Sequence, residues 1–221
     1  MTEADHVKVS AAIAAAEARS NGEIVAVATP ISDSYHDSAL HWAVAAMILV
    51  LAWAAWQPAW LTGLHERLLG GWSAEPTLGE LLTFLMILAV LKFTAVLLIM
   101  KWRPLRLALT PAVTKHRRVR RRAVVIFRAA AERRTAGRTG ILIYLSMAEH
   151  RAEIVADEAI LAVTDDSTWG EAMTALLVEV RAGRPADGIC AAVAIVGEVL
   201  GKHFPRSDGD TNEIPDKLIE L

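Results

Sequence analysis

The stretch "GILIYLSMAEHRAEIVAD", residues 140–157, decides how the rest of the chain is read. Gly140 to Met147 is a nearly continuous apolar run, the pattern of a central strand covered on both faces. Arg151 to Asp157 alternates instead, with Glu153, Val155 and Asp157 on one face and Ile154 and Ala156 on the other. One tight turn separates the two runs, so they read as antiparallel neighbours. Two strands alone do not make a stable sheet. A third is available far upstream, in "EIVAVAT", Glu23 to Thr29, which is itself too short to stand alone.

Between these strands lie two runs of another kind. "LHWAVAAMILVLAWAAW" (Leu40 to Trp56) carries no charge, and "LLTFLMILAVLKFTAVLLIM" (Leu81 to Met100) carries one, Lys92. Each approaches the roughly 20 apolar residues that cross a hydrocarbon core. Trp42, Trp53, Trp56, Trp60, Trp72 and Trp102 lie in or beside them, as expected of rings that prefer a membrane interface. Lys92 is close enough to the end of its run for its stem to snorkel to that interface. The expectation is a membrane hairpin over residues 39–103, with spans at about 40–60 and 80–100 joined by a short Pro- and Gly-containing loop. It interrupts one domain made of residues 1–38 and 104–221. The fold class that follows is α+β with an inserted transmembrane helical hairpin.

Charge gives the hairpin an orientation. From Lys101 to Arg138 there are thirteen Lys or Arg residues and one acid, Glu132, whereas the connecting loop holds Arg67 against Glu66, Glu75 and Glu80. The positive-inside rule then puts both large segments in the cytoplasm, in a two-pass protein with both termini inside. The first 38 residues are mostly polar or small, so no cleavable signal sequence is expected. A single cysteine, Cys190, rules out an intramolecular disulfide framework.

The densest part of the basic region is "KHRRVRRRA", residues 115–123. At 100° per residue Lys115, Arg117, Arg118, Arg120, Arg121 and Arg122 point to almost every side of a helix, so this turn or two is expected to pack no face into a core. Anionic lipid is the natural partner for such a cluster. No aromatic stacking residues accompany the charges, and no nucleic acid is expected.

Helices fill the remainder. The segment before Asn21-Gly22 sets Val7, Val9, Ile13 and Ala16 roughly on one side, and the basic helix continues with Val119, Ala123, Phe127 and Ala130 in register. "TWGEAMTALLVEVRAGR" reads as an amphipathic helix opening at Ser167 or Thr168, and "ADGICAAVAIVGEVLGKHF" as an apolar one capped by Asp187. The tail after Pro205 reads as acidic and turn-rich.

Signatures of several chemistries are absent: a phosphate-binding glycine loop, HExxH, CxxC and GxSxG. What remains is a set of carboxylates at strand ends and helix starts. Glu153, Asp157 and Asp187 could hold a hard cation such as Ca²⁺ or Mg²⁺, which prefers oxygen ligands. Spacing alone favours the plainer reading of the same acids as caps, turn formers and solvated edge charges. No cofactor is certain.

"NGEIVAVAT", "GRTGILIYLSMAEHRAEIVAD", "GRPADGICAAVAIVGEVLGKHFP" and "NEIPD" together resemble the successive motifs of the TPM domain, over essentially all of the chain outside the hairpin. Its motif residues fall on Glu23, Glu149, Arg151, Glu153, Asp157, His203, Asn212, Glu213 and Asp216. The sequence is most similar to the bacterial subgroup in which a two-span hairpin follows the first strand. The resemblance implies an α/β/α sandwich in the bacterial cytoplasmic membrane, with another TPM protein or a LemA-type membrane protein as partner. It also implies two functions. One is an interaction, assembly or accessory factor for a membrane complex. The alternative is a divalent-metal-dependent phosphatase with Glu153, Asp157 and Asp187 as ligands and Arg138 or Arg151 on phosphate.

Overall fold

A computed structural model describes residues 1–70, 76–130, 139–207 and 215–221. The chain divides into two compact units, one formed by Met1–Asp33 with Ala112–Leu221 and the other by Ser34–Pro111.

The first unit is α+β. Its helix α1 (Glu3–Glu17) starts at a reciprocal cap, in which Thr2 Oγ1 accepts from the Asp5 N–H and Asp5 Oδ2 from the Thr2 N–H. Strand β1 (Glu23–Thr29) follows and is buried throughout. β2 (Gly140–Ser146) lies parallel to it, residue for residue from Glu23 beside Gly140 to Thr29 beside Ser146. A parallel neighbour demands a crossover, and this one carries the entire second unit. β3 (Arg151–Ala156) returns antiparallel to β2, as its alternation predicts.

The fourth strand is a correction to the sequence reading. Leu218–Glu220 in the tail pairs parallel with Ala26–Ala28 and completes a sheet of order β3-β2-β1-β4, this last being β4. Three residues are too short a run to stand out from a polar tail; β1 supplies the template.

Helices cover both faces of the sheet. On one side α1 packs with the two long C-terminal helices, here α8 (Asp166–Arg181) and α9 (Pro185–His203), around Ile13, Ile24, Ile143, Leu176, Ile189 and Leu200. On the other side α6 (Ala112–Ala130) lays Val119, Ala123 and Phe127 against Val25, Val27, Leu142 and Tyr144. Strands buried on both sides read as near-continuous apolar runs, which is why β1 and β2 lack alternation. The predicted face of α1 holds for Val9, Ile13 and Ala16, but Val7 is 65% exposed. Glu17 occupies the next buried position instead. A short helix, α7 (Glu158–Leu161), links β3 to α8, which begins at Asp166, just ahead of the predicted Ser167. α9 opens with Pro185 at its first position, so Asp187 sits in its first turn rather than at the cap.

The second unit is helical: α2 (His36–Trp56), α3 (Pro58–Leu69), α4 (Leu78–Ile99) and α5 (Arg103–Leu109). A small cluster joins Ala54 of α2, Leu61 of α3 and Phe84 of α4, and α2 and α4 are both long and apolar enough to cross a membrane. Only 22% of the most apolar window of α2 and 11% of that of α4 is buried within the protein. The predicted loop between them contains a full helix, α3, begun by Pro58 immediately after Gln57. α5 is likewise unforeseen; its Arg106 is buried with Nη1 3.3 Å from His36 Nδ1 at the start of α2.

Candidate functional site

β1 and β2 run side by side, so their carboxyl ends, Thr29 and Ser146, emerge together. Pro30 has no N–H to continue the ladder. The next turn still holds the two chains in register, because the Met147 N–H donates to Thr29 O and the Ala148 N–H to Pro30 O, each at 2.9 Å. His150 adopts a left-handed conformation (φ 48°) that reverses the chain into β3. This turn delivers Glu149 back over the strand ends, where it is buried.

Glu149 is the terminus of a hydrogen-bond chain. Its Oε1 accepts from the Ser32 N–H at 2.9 Å and its Oε2 from the Ser146 hydroxyl. Ser32 Oγ donates to Ser146 Oγ at 2.8 Å and lies 2.9 Å from Tyr144 Oη. Ser32 has one hydroxyl proton and it goes to Ser146, so Tyr144 is the donor in the remaining bond. The protons therefore point one way, Tyr144 to Ser32 to Ser146 to Glu149. Burial pushes the Tyr144 phenol above its ordinary pKa, with the Glu149 charge adding to the effect, which keeps it a neutral donor. Arg118 Nη1 adds an ion pair to Asp33 Oδ2 at 2.6 Å. Ser32 and Asp33, the last residues before the chain leaves the first unit, are thus fastened to strand, turn and helix at once.

The sequence singles out Glu149 but not Ser32, Tyr144 or Ser146. A signal exists: Tyr144 and Ser146 are polar-tipped residues two apart in an apolar run, on one face of the strand.

The three candidate metal ligands do not converge. Glu153 and Asp157 lie on the α6 side of the edge strand, while Asp187 is on α9, which packs against the other face. Each has its own partner. Glu153 Oε1 lies 3.2 Å from His116 Nδ1; burial raises its pKa, against the pull of His116, Arg120 and Arg151. Asp157 Oδ2 accepts from the Gly140 N–H at 2.9 Å, closing the start of β2 onto the end of β3. Asp187 is paired with Lys8 and with Arg184. Among the described residues no group of three His, Cys, Asp or Glu side chains is arranged to hold a metal ion. The caps-and-edges reading describes these acids.

Arg151 opens β3 opposite Ser146. Arg138, the alternative to it on phosphate, lies outside the described residues, as do Asn212 and Glu213. Beside Asp157 a crevice of about 770 Å³ runs between α6 and α7, lined by Phe127, Arg128, Val155, Glu158 and Leu161. His203, at the end of α9, lines a smaller crevice of about 430 Å³ with Asp165, Glu171, Glu198 and Lys202.

Carboxylates do gather elsewhere. Glu17 is only 9% exposed, and its Oε1 accepts from the Ile24 N–H at 2.7 Å. Burial pushes its pKa up to about 9, and the negative charges of Glu23 and Asp216 add to the effect. The signal was present: Glu17 follows Val9 and Ile13 at four-residue spacing, an acid inside an apolar stripe.

The basic run does have a packed face, contrary to expectation. Val119 and Ala123 anchor it to the sheet, and His116 and Arg118 are turned to Glu153 and Asp33. Arg117, Arg120 and Arg121 are exposed.

No family model and no curated protein matches the sequence. Among solved structures, the NMR structure of the BA42 protein from the psychrophilic bacterium Bizionia argentinensis is similar, with a TM-score of 0.56 and 16% identity over 100% of this chain and 95% of that one. At that identity the likeness shows the fold alone.

Proposed function

We propose that this chain is a two-pass protein of the bacterial cytoplasmic membrane, of the TPM-domain type, whose α+β unit serves in the cytoplasm as an interaction or assembly module for a membrane complex. One observation carries the reading. Two adjacent helices leave most of their apolar windows uncovered, and they interrupt a unit whose two pieces share a single sheet. In water that much exposed apolar surface would be strongly unfavourable; hydrocarbon removes the penalty. The clasp at Ser32 and Asp33 supports the same reading, since it fixes the chain where it departs for the hairpin. The excess of Lys and Arg after Met100 supports a cytoplasmic α+β unit. The resemblance of the motifs around Glu23, Glu149, Asp157 and His203 to the TPM pattern supports the domain type, and points to another TPM protein or a LemA-type protein as partner.

The phosphatase reading has no comparable support, because Glu153, Asp157 and Asp187 are spread over two faces of the sheet with separate partners.

Two measurements test the proposal. A reporter fused after Leu221 should be active only in the cytoplasm, and activity outside would overturn the orientation. Affinity capture of the chain from native membranes in mild detergent should return the same membrane protein in independent preparations. Failure to return one refutes the assembly role while leaving the topology standing.

A further inference from the structure

α6 carries seven Lys or Arg residues and no acid. The fold sorts these charges. His116 and Arg118 are committed to Glu153 and Asp33. Opposite the buried row of Val119, Ala123 and Phe127 runs a four-residue ridge, Val113, Arg117, Arg121 and Val125, about 18 Å long at 1.5 Å per residue. Both valines stand in the open, Val113 at 79% and Val125 at 54%, and both arginines are exposed. Arg120 flanks the ridge and is exposed as well.

We propose that this ridge is a docking surface for the anionic headgroups of phospholipids, with Arg117 and Arg121 taking phosphate oxygens and Val113 and Val125 entering the interface beside them. Arginine presents a planar fork of donors that matches phosphate. The exposed valines at the two ends of the ridge favour lipid over nucleic acid: they contribute nothing to phosphate contact, but an interfacial helix uses them. Chain length permits the contact. Only twelve residues, Met100 to Pro111, separate the end of α4 from the start of α6. The proposal rests on the membrane reading of the hairpin and names the lipid class that the cytoplasmic unit would seek.

The full chain, with Cys190→Ala and an environment-sensitive fluorophore on Val125→Cys, would be placed in nanodiscs of phosphatidylcholine alone or with about a third phosphatidylglycerol. The expected result is a blue shift of emission in the anionic discs only, reversed by added salt. Arg117→Gln with Arg121→Gln should shift the docking equilibrium roughly 30-fold, taking about 1 kcal/mol per basic residue at an anionic surface, while thermal unfolding of the variant stays unchanged. Equal emission in the two lipids, or a blue shift that survives both substitutions, overturns the proposal. So does a shift produced in neutral discs by an RNA or DNA oligonucleotide, which would make the ridge a polyanion site. A chain that does not enter discs at all overturns the membrane reading together with the docking; entry with equal emission overturns the docking alone.

Discussion

Replacing Glu17 by Gln should make the protein more stable in mild alkali and leave it little changed in mild acid. The folded protein holds the Glu17 proton up to about pH 9, whereas an unfolded glutamate releases it near pH 4.3. Between those values the native state binds one proton more than the unfolded state. Stability must then fall as pH rises, by about 1.4 kcal/mol per pH unit. From about pH 6 to about pH 8.5 the accumulated loss is about 3 kcal/mol, roughly 6–12 °C in Tm for a chain of this size. Gln stays neutral throughout and keeps a carbonyl oxygen for the Ile24 N–H. Thermal unfolding of both proteins in one detergent, at several pH values, isolates the effect, because every other titrating group is common to the pair. The wild-type curve should fall away from that of the variant as pH rises. Parallel curves would show that Glu17 is ionised in the folded protein and that its burial is offset by something other than its proton.

Glu149→Ala would leave the buried Ser146 hydroxyl and the half-buried Ser32 N–H without their acceptor, at a cost of about 1–3 kcal/mol; a denaturant midpoint unchanged from wild type would show the network to be ornamental. Tyr144→Phe removes only the first donor of the relay and should cost about 1 kcal/mol in the same titration. At Gly188 an added Cβ would lie 2.6 Å from the Leu176 carbonyl oxygen, so Gly188→Ala should force α8 and α9 apart and cost about 1–3 kcal/mol by calorimetry. Gly170→Ala on α8 meets nothing within 4 Å and should gain up to about 1 kcal/mol from helix propensity; equal effects at the two glycines would contradict the packing described.

Local pattern alone makes much of this fold legible. The apolar runs of β1 and β2, the alternation of β3, the two long apolar helices and the stripe on α6 each follow from a period of 2 or 3.6. Elements that depend on neighbours are not legible in that way. β4 is three residues that become a strand because β1 offers an open edge. α3 sits where Pro and Gly read as a loop. The site divides along the same line. Glu149 stands out as an acid in a strand turn. Ser32 looks like any polar residue after a proline until the parallel pairing of β1 with β2 brings it beside Ser146. Asp157 and Asp187 look interchangeable as oxygen donors until they fall on opposite sides of the sheet.

By itself the sequence determines where the chain is apolar, where it is basic and which segments repeat with the period of a strand or a helix, because backbone geometry sets those periods locally. Only the tertiary structure decides which charges are spent and which remain. Folding pairs Arg118 with Asp33 and His116 with Glu153, scatters three carboxylates that spacing would group, and brings Glu17, Glu23 and Asp216 together from both ends of the chain. Those outcomes depend on contacts between residues far apart in sequence, and such contacts leave no local period to read.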